Sequence, residues 1–381
     1  MKVLLLIPAL RKGGSERFVS NLSLMLSAEH QVKVAIFDNI VEFPLGGELC
    51  DLKTPTKESK LGKIFTVFKR CIKLRRLVKN FKPDVIVSVM KAANRINTMC
   101  SFKGVRQFIS CRGFAELKLI PDVFLKGALK TDGIIFNSKE ARDYFCKEYG
   151  CPENKAFYSY NIIDMKKISQ GIEEPIDDKT LEHFLNTHKC VANLGRLSAV
   201  KCQIPLVKAF EVLHEKVPES GLVIIGGDGN VADELKKRVS ESPCRESIFL
   251  TGNRDNPYNV LSRCNVYALS SMAEGFPNAL VEAMFCDLPA VATDCMTGPG
   301  EILRARTDVD KTDEVEIASY GILTPDIEGR ETDFAKALEL VLTDGELHDK
   351  LKNKAKERSL EFTPAQAFEN FMEIISGRVN A

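Results

Sequence analysis

The sequence predicts an α/β fold in which two parallel-sheet domains follow one another. Three observations lead there. Short apolar runs recur along the chain, most followed by a polar or glycine-containing loop and then by residues at helical spacing. At 381 residues the chain is long enough for two domains of ordinary size. A polar, acidic stretch at 166–188, centred on Glu173-Glu174-Pro175-Ile176-Asp177-Asp178, reads as the linker between them.

Composition narrows the class. With 44% hydrophobic and 28% charged residues, the chain has the balance of a soluble globular protein. The net charge is only +1, yet residues 1–165 carry 28 Lys and Arg against 16 Asp and Glu, and residues 166–381 carry 25 against 36. A basic half joined to an acidic half suits a first domain that meets an anionic partner, and equally two domains that face each other through opposite charges. The twelve cysteines form no C-x-x-C pair and no His/Cys cluster, so they read as reduced, cytosolic, small apolar residues rather than disulfides or a zinc site. The opening Met1-Lys2-Val3-Leu4-Leu5-Leu6-Ile7-Pro8 imitates a signal peptide, but Arg11-Lys12-Gly13-Gly14 follows instead of a cleavage site. It reads as a buried first strand. No run reaches the roughly 18 apolar residues of a membrane span.

In chain order, strand 3–9 leads through Lys12-Gly13-Gly14-Ser15-Glu16-Arg17 into a helix over 16–28 and a second strand at 32–37. That is a βαβ unit whose glycine loop lies at the ligand-binding edge of a parallel sheet. Residues 60–82 hold nine basic side chains and no acidic one, with Leu61, Ile64, Phe65, Phe68, Ile72, Leu77 and Phe81 at helical spacing. This reads first as a sheet-covering helix with a solvated polar face, since strand 84–89 follows at once. The same helix suits an anionic bilayer, with Lys63, Arg70, Lys73 and Arg76 as the cations meeting lipid. Further strands are expected at 107–111 and 133–137.

The second domain begins with strand 191–194, then Gly195-Arg196-Leu197-Ser198-Ala199-Val200-Lys201 and a helix over 204–216. Arg196 and Lys201 are two cations on a loop after a strand, where they could grip a diphosphate. Strand 222–225 is followed by Gly226-Gly227-Asp228-Gly229-Asn230-Val231-Ala232, which satisfies a dinucleotide fingerprint. The acidic residue that fingerprint wants is missing: strand 248–251 ends in Gly252-Asn253-Arg254, which argues against nicotinamide or flavin. After strand 266–269 comes Ala273-Glu274-Gly275-Phe276-Pro277-Asn278-Ala279-Leu280-Val281-Glu282-Ala283-Met284. Pro277 starts a helix whose free N–H groups and dipole suit a phosphate. Glu274 and Glu282 can each accept two hydroxyls, as a sugar or ribose offers. Strand 290–293 leads to Gly298-Pro299-Gly300-Glu301-Ile302, and a final helix is expected from Pro364.

The ordered set Gly13-Gly14-x-Glu16-Arg17, Gly195-Arg196…Lys201, Gly226-x-Asp228-Gly229, Gly252-x-x-x-Asn256, Glu274-Gly275-Phe276-Pro277…Glu282-Ala283 and Gly298-Pro299…Glu301-Ile302 resembles the GT-B retaining glycosyltransferases of family 4, in the bacterial branch that builds capsule, O-antigen and lipid-linked oligosaccharides. The resemblance covers nearly the whole chain. It implies two Rossmann-like parallel-sheet domains facing across a cleft: an acceptor-side domain over 1–165, a nucleotide-sugar domain over 189–358, and a helix over 359–381 that crosses back to the first domain. Carried over by position, it makes Arg196 and Lys201 the diphosphate cations, Glu282 the ribose acceptor and Glu274 the holder of a donor-sugar hydroxyl. Phe276, Pro277 and Asn278 present backbone to sugar and phosphate, Gly14 closes on the donor from the first domain, and Asn253 and Arg254 meet the base.

The resemblance also implies a cytoplasmic enzyme at the inner face of the membrane. Its donor is a nucleotide-sugar, a UDP-sugar first, and its acceptor a glycan or lipid-linked saccharide; no metal, cofactor or nucleic acid takes part. One departure stands out. Where many relatives carry His, this chain reads Ile109-Ser110-Cys111-Arg112-Gly113. Arg112 in that place can stabilise a phosphate or hold a sugar but cannot act as a base at neutral pH. Two rivals share the donor-side residues: a catalytically silent nucleotide-sugar-binding subunit, and a nucleotide-sugar epimerase of the same fold.

Overall fold

The apolar run after Met1 forms strand β1 (Lys2–Ile7), and every side chain from Val3 to Ile7 is fully buried. A strand apolar on both faces must be covered on both, which is the situation at the centre of a parallel sheet. The computed structural model describes residues 1–56, 59–113, 122–227, 229–307 and 310–378, so Asp228 of the glycine motif lies outside the described residues. The chain divides into two units: Met1–Ile162 with Pro364–Ala381, and Ile163–Thr363.

In the first unit β1 is followed by α1 (Gly14–Ser27), β2 (Gln31–Ile36), β3 (Glu48–Asp51), α2 (Lys60–Phe81), β4 (Val85–Val89), α3 (Lys91–Met99), β5 (Arg106–Cys111), α4 (Asp122–Ala128), β6 (Gly133–Phe136), α5 (Lys139–Tyr149) and β7 (Ala156–Tyr158). The sheet order is β3-β2-β1-β4-β5-β6-β7 with every pairing parallel. Alternation along β1 divides the core. Val3, Leu5 and Ile7 pack with Phe18 and Leu22 of α1 and with Phe371 and Ile375 of the C-terminal helix Pro364–Ser376. Leu4 and Leu6 face the other way, onto Leu74 and Val78 of α2 and Ile96 of α3. Phe18 and Phe371 meet edge to face at 6.0 Å between ring centroids.

Helix α2 begins at a Ser59 cap, whose hydroxyl accepts from the Gly62 N–H at 3.1 Å, and it stops at Lys82 in the left-handed region. Two of the four cations expected to meet lipid do not face outward. Arg70 is 5% exposed; its guanidinium donates to the Thr54 carbonyl at 2.7 and 3.0 Å and to Thr56 Oγ1 at 3.0 Å, and stacks 4.0 Å over the Phe37 ring. Lys73 Nζ donates to the Leu52 carbonyl. Both therefore hold the segment after β3, because their side of the helix is turned towards residues 52–56. The outward side carries Leu61, Ile64, Phe65, Phe68 and Ile72, exposed by 81, 69, 60, 64 and 36%. Among the described residues no helix is long and apolar enough to cross a membrane.

The stretch read as a linker is instead two helices of the second unit, α6 (Met165–Glu173) and α7 (Lys179–Thr187). Each helix has an acidic cap: Asp164, just before the stretch, accepts from Lys167 N–H at 3.0 Å, and Asp178 within it accepts from Thr180 and Leu181 N–H at 2.9 and 3.1 Å. The unit continues through β8 (Lys189–Leu194), α8 (Gln203–Lys216), β9 (Ser220–Ile225), α9 (Ala232–Ser240), β10 (Ile248–Gly252), α10 (Tyr258–Leu261), β11 (Val266–Leu269), α11 (Asn278–Phe285), β12 (Ala290–Thr293), α12 (Pro299–Arg304), β13 (Glu316–Ile317), β14 (Ile322–Thr324), α13 (Glu331–Thr343) and α14 (Gly345–Ser359). The sheet order is β10-β9-β8-β11-β12-β14-β13, parallel except for the last pair. Strand order reverses between β8 and β11, which pair directly. The loops leaving their carboxyl ends therefore diverge around a crevice, the usual ligand position in such sheets.

Candidate functional site

The loops after β8 and β11 carry the residues the sequence singled out, and the reversal point brings them together. The loop after β11 is locked from both sides. Ser270 Oγ donates to the Lys201 carbonyl at 2.7 Å, Met272 N–H to the Val200 carbonyl at 2.9 Å, and Glu274 N–H to the Met296 carbonyl at 2.7 Å. Thr297 returns two bonds to the Glu274 carbonyl, from N–H at 2.8 Å and Oγ1 at 2.9 Å. Held this way, the Glu274 side chain meets Lys201 Nζ at 2.5 Å and Ser271 Oγ at 2.6 Å, both on Oε1. Its Oε2 receives no donor among the described residues. Glu274 is only 10% exposed and Lys201 27%, so the pair is partly shielded from water and its attraction is stronger than a surface pair's.

Helix α11 starts on the same loop. Pro277 is its N-cap, one position earlier than expected, and Leu280 and Val281 N–H already turn back to the Pro277 carbonyl. Phe276 is buried and packs edge to face on Phe362, with centroids 5.3 Å apart, so the loop offers its backbone rather than this ring. Gly298 has φ +101°, and a Cβ there would come 2.6 Å from Pro277 Cδ, so glycine is required beside the helix start. Glu282, on α11, is 3% exposed. Tyr267 on β11 lies under both carboxylates: its hydroxyl donates to the Leu194 carbonyl at 3.3 Å, and its phenol is pushed up first by burial and then by the charges of Glu274 and Glu282.

Neighbouring loops pack too closely for side chains. A Cβ on Gly226 would fall 1.9 Å from the Gly195 carbonyl oxygen, and one on Gly229 would fall 1.6 Å from that of Leu197. This draws the loop of β9 against Arg196, which is exposed and whose carbonyl accepts from Gln203 Nε2 at 3.1 Å. Asn253 is exposed and its side chain lies against Gly227, while Arg254 Nε is buried without a hydrogen-bond partner among the described residues. Asn256 of the glycine–asparagine motif does structural work instead, donating to the Gly171 carbonyl and Glu174 Oε2, both at 2.8 Å. Among the described residues no group of three His, Cys, Asp or Glu is placed to hold a metal ion.

Gly14 and Arg112 belong to the first unit. Gly14 opens α1 and faces open space, while Glu16 folds back so that a Cβ on Gly13 would lie 2.4 Å from its Oε2. Arg112 is 7% exposed. It donates to Ser110 Oγ at 2.9 Å, the Ser159 carbonyl at 2.8 Å and Asn161 Oδ1 at 3.1 Å, and stacks 3.4 Å over Phe18. These contacts tie the end of β5 to the segment after β7. Sequence reasoning passed over Ser271 and Thr297; hydroxyl residues flanking the apolar runs 266–269 and 290–293 were the available signal.

Residues 12–167 match the family model described as Glycosyltransferase Family 4, and residues 177–358 the model described as Glycosyl transferases group 1. An uncharacterised glycosyltransferase of Methanocaldococcus jannaschii is 28% identical over 277 residues, 68% of either chain. The N-acetylgalactosamine-N,N'-diacetylbacillosaminyl-diphospho-undecaprenol 4-alpha-N-acetylgalactosaminyltransferase of Campylobacter jejuni is 25% identical over 390 residues, 99% of this chain and 100% of that one. Among solved structures, Anabaena HepE in complex with UDP and glucose superposes with a TM-score of 0.76 at 19% identity, over 99% of this chain and 100% of that one. Matched by family models over both of its halves and sharing this fold along nearly its whole length, the chain belongs to the family 4 glycosyltransferases of the GT-B fold.

Proposed function

We propose that this enzyme moves a sugar from a nucleotide-sugar, a UDP-sugar, to a lipid-linked saccharide in cell-surface polysaccharide synthesis, with retention of anomeric configuration. The observation that carries the reading is the Lys201–Glu274 pair beside the start of α11 at the reversal point of the second sheet. Breaking a sugar–phosphate bond leaves negative charge on the diphosphate. Arg196, Lys201 and the N–H groups at the start of α11 supply donors for that charge without a metal. Glu274 takes a donor-sugar hydroxyl on Oε2 while Lys201 holds Oε1. Glu282 takes the ribose hydroxyls, Asn253 and Arg254 meet the base, and Phe276, Pro277 and Asn278 line the sugar and phosphate with backbone.

Retention without a protein nucleophile follows if the leaving diphosphate accepts the proton of the acceptor hydroxyl on the face it departs from. Arg112 then acts as a positioning residue of the first unit, and Gly14 supplies backbone approach. The Campylobacter relative's name, which specifies a diphospho-undecaprenol-linked substrate, supports a lipid-linked acceptor. So does α2, whose outward stripe of Leu61, Ile64, Phe65, Phe68 and Ile72 is flanked by exposed Lys69, Arg75, Arg76 and Lys79 and suits an anionic bilayer at the cytoplasmic face.

The test incubates purified protein with a panel of UDP-sugars and a diphospho-undecaprenol-linked saccharide, and reads products by mass spectrometry and proton NMR. An α-linked product from an α-linked donor is expected. Donor binding with neither transfer nor hydrolysis would instead identify a silent subunit, and interconversion of the donor sugar without transfer an epimerase.

A further inference from the structure

The first unit carries a cavity of about 490 Å³, lined among others by Arg11, Asp38, Asn39, Asp51, Lys53 and Pro55. These residues stand at the carboxyl ends of three adjacent strands: Arg11 after β1, Asp38 and Asn39 after β2, and Asp51 to Pro55 from the end of β3. In a parallel sheet that edge is where ligands sit. The volume lies within the roughly 300–1,000 Å³ of small-molecule sites. Among the described residues Asp38 Oδ1 and Thr54 Oγ1 at this edge have no hydrogen-bond partner, and both atoms are shut off from water behind the lining, Thr54 being 2% exposed. Beneath them the buried Arg70 donates to the Thr54 carbonyl and supplies positive charge near Asp38.

From this we infer that the cavity is a subsite for a neutral sugar ring of the acceptor, with the Asp38 carboxylate accepting its hydroxyls and Arg11 and Lys53 donating to its oxygens. The inference rests on the transferase reading above, which supplies the need for a saccharide. The lining itself selects the ligand class. The lining sets the carboxylates of Asp38 and Asp51 beside Arg11 and Lys53, so a diphosphate or lipid phosphate would meet two like charges within it. A sugar hydroxyl both donates and accepts, and mixed lining matches it. Lys53 in the left-handed region (φ +47°) and its N–H bond to Asp51 Oδ1 at 2.7 Å fix the loop that shapes the wall.

The experiment is saturation-transfer NMR on the full chain, with the methyl α-glycosides of glucose, galactose, N-acetylglucosamine and N-acetylgalactosamine as probes and UDP binding measured in parallel. Signal is expected for at least one glycoside, persisting at saturating UDP. It should fall at least fivefold in Asp38→Asn and in the exposed-site variant Lys53→Gln, while both variants keep their affinity for UDP. No signal from any glycoside, signal that both variants retain, or displacement of the glycoside by millimolar inorganic phosphate would overturn the subsite. Glycoside binding that follows this pattern in a protein that does not bind UDP would uphold the subsite and overturn the donor assignment instead.

Discussion

Lys201 and Glu274, 73 residues apart, are joined by a 2.5 Å ion pair across the reversal point of the second sheet. The pair commits Oε1 of the carboxylate to the protein, while Oε2 receives no donor among the described residues. It also fixes the ammonium group on the loop that leads into α11. Neither residue alone has that geometry, because each loop is set by a different strand.

Glu274→Ala should lower kcat about a hundredfold, because a sugar misplaced by an ångström loses its oriented reactivity. Glu282→Gln should chiefly raise the donor KM, about tenfold for one weakened hydrogen-bonded contact. Steady-state kinetics with the true donor decide this. Near-normal constants in both variants would refute the assignment of residues 274–282.

The fold was legible where side-chain periodicity reports burial. The apolar run after Met1, the run at 266–269 and the glycine loops between them give strands and their edge directly. Boundaries set by capping were not. Glu173 to Asp178 looks like a solvated linker, yet Asp178 is the cap of a helix and Pro175 merely separates two helices. Helical spacing also counted Arg70 and Lys73 among the outward cations, because it says nothing about which side of α2 meets residues 52–56. Glu274 and Lys201 could each be picked from its own loop. Their pairing depends on β8 lying beside β11, which no local pattern encodes.

Activity should survive chelation. Positive charge at the proposed diphosphate position comes from Arg196, Lys201 and the start of α11, and the described residues offer no three-ligand metal group. Turnover in 5 mM EDTA (a concentration of the order used to strip divalent ions, roughly a thousandfold above micromolar binding) should stay within about twofold of the untreated enzyme. Loss restored only by manganese or magnesium would refute it.

Thiol chemistry should single out Cys71. The neighbouring Cys100 thiol and the nearby charges of Arg75 and Arg95 bring the Cys71 thiol down to about 7. Burial pushes Cys151 and Cys202 up to about 11 and Cys286 up to about 12. A lowered pKa means that thiolate already accumulates as pH rises through 7, while the buried thiols stay protonated. Iodoacetamide labelling mapped by mass spectrometry between pH 6 and 9 should modify Cys71 first, with a midpoint near 7. Equal labelling of all four, or a Cys71 midpoint of 9 or above, would contradict this.

The last prediction separates the two sides of α2. Its outward stripe and flanking cations should bind an anionic bilayer, each well-placed cation contributing about 1 kcal/mol near the surface. Neutralising Lys69, Arg75, Arg76 and Lys79 to Gln should therefore abolish cosedimentation with phosphatidylglycerol vesicles at low salt. Changing Leu61, Ile64 and Phe68 to Ser should abolish it at every salt concentration, since the inserted apolar area is lost. Both sets should raise the KM for a lipid-linked acceptor and leave the donor KM unchanged. Arg70→Ala should behave differently: it breaks bonds to Thr54 and Thr56 and a stack on Phe37, so its signature is a lowered Tm, with vesicle binding retained by the folded protein. If wild type never cosediments, or if Arg70→Ala loses binding while the Gln set keeps it, α2 does not meet lipid through this side. A soluble acceptor then becomes the better reading.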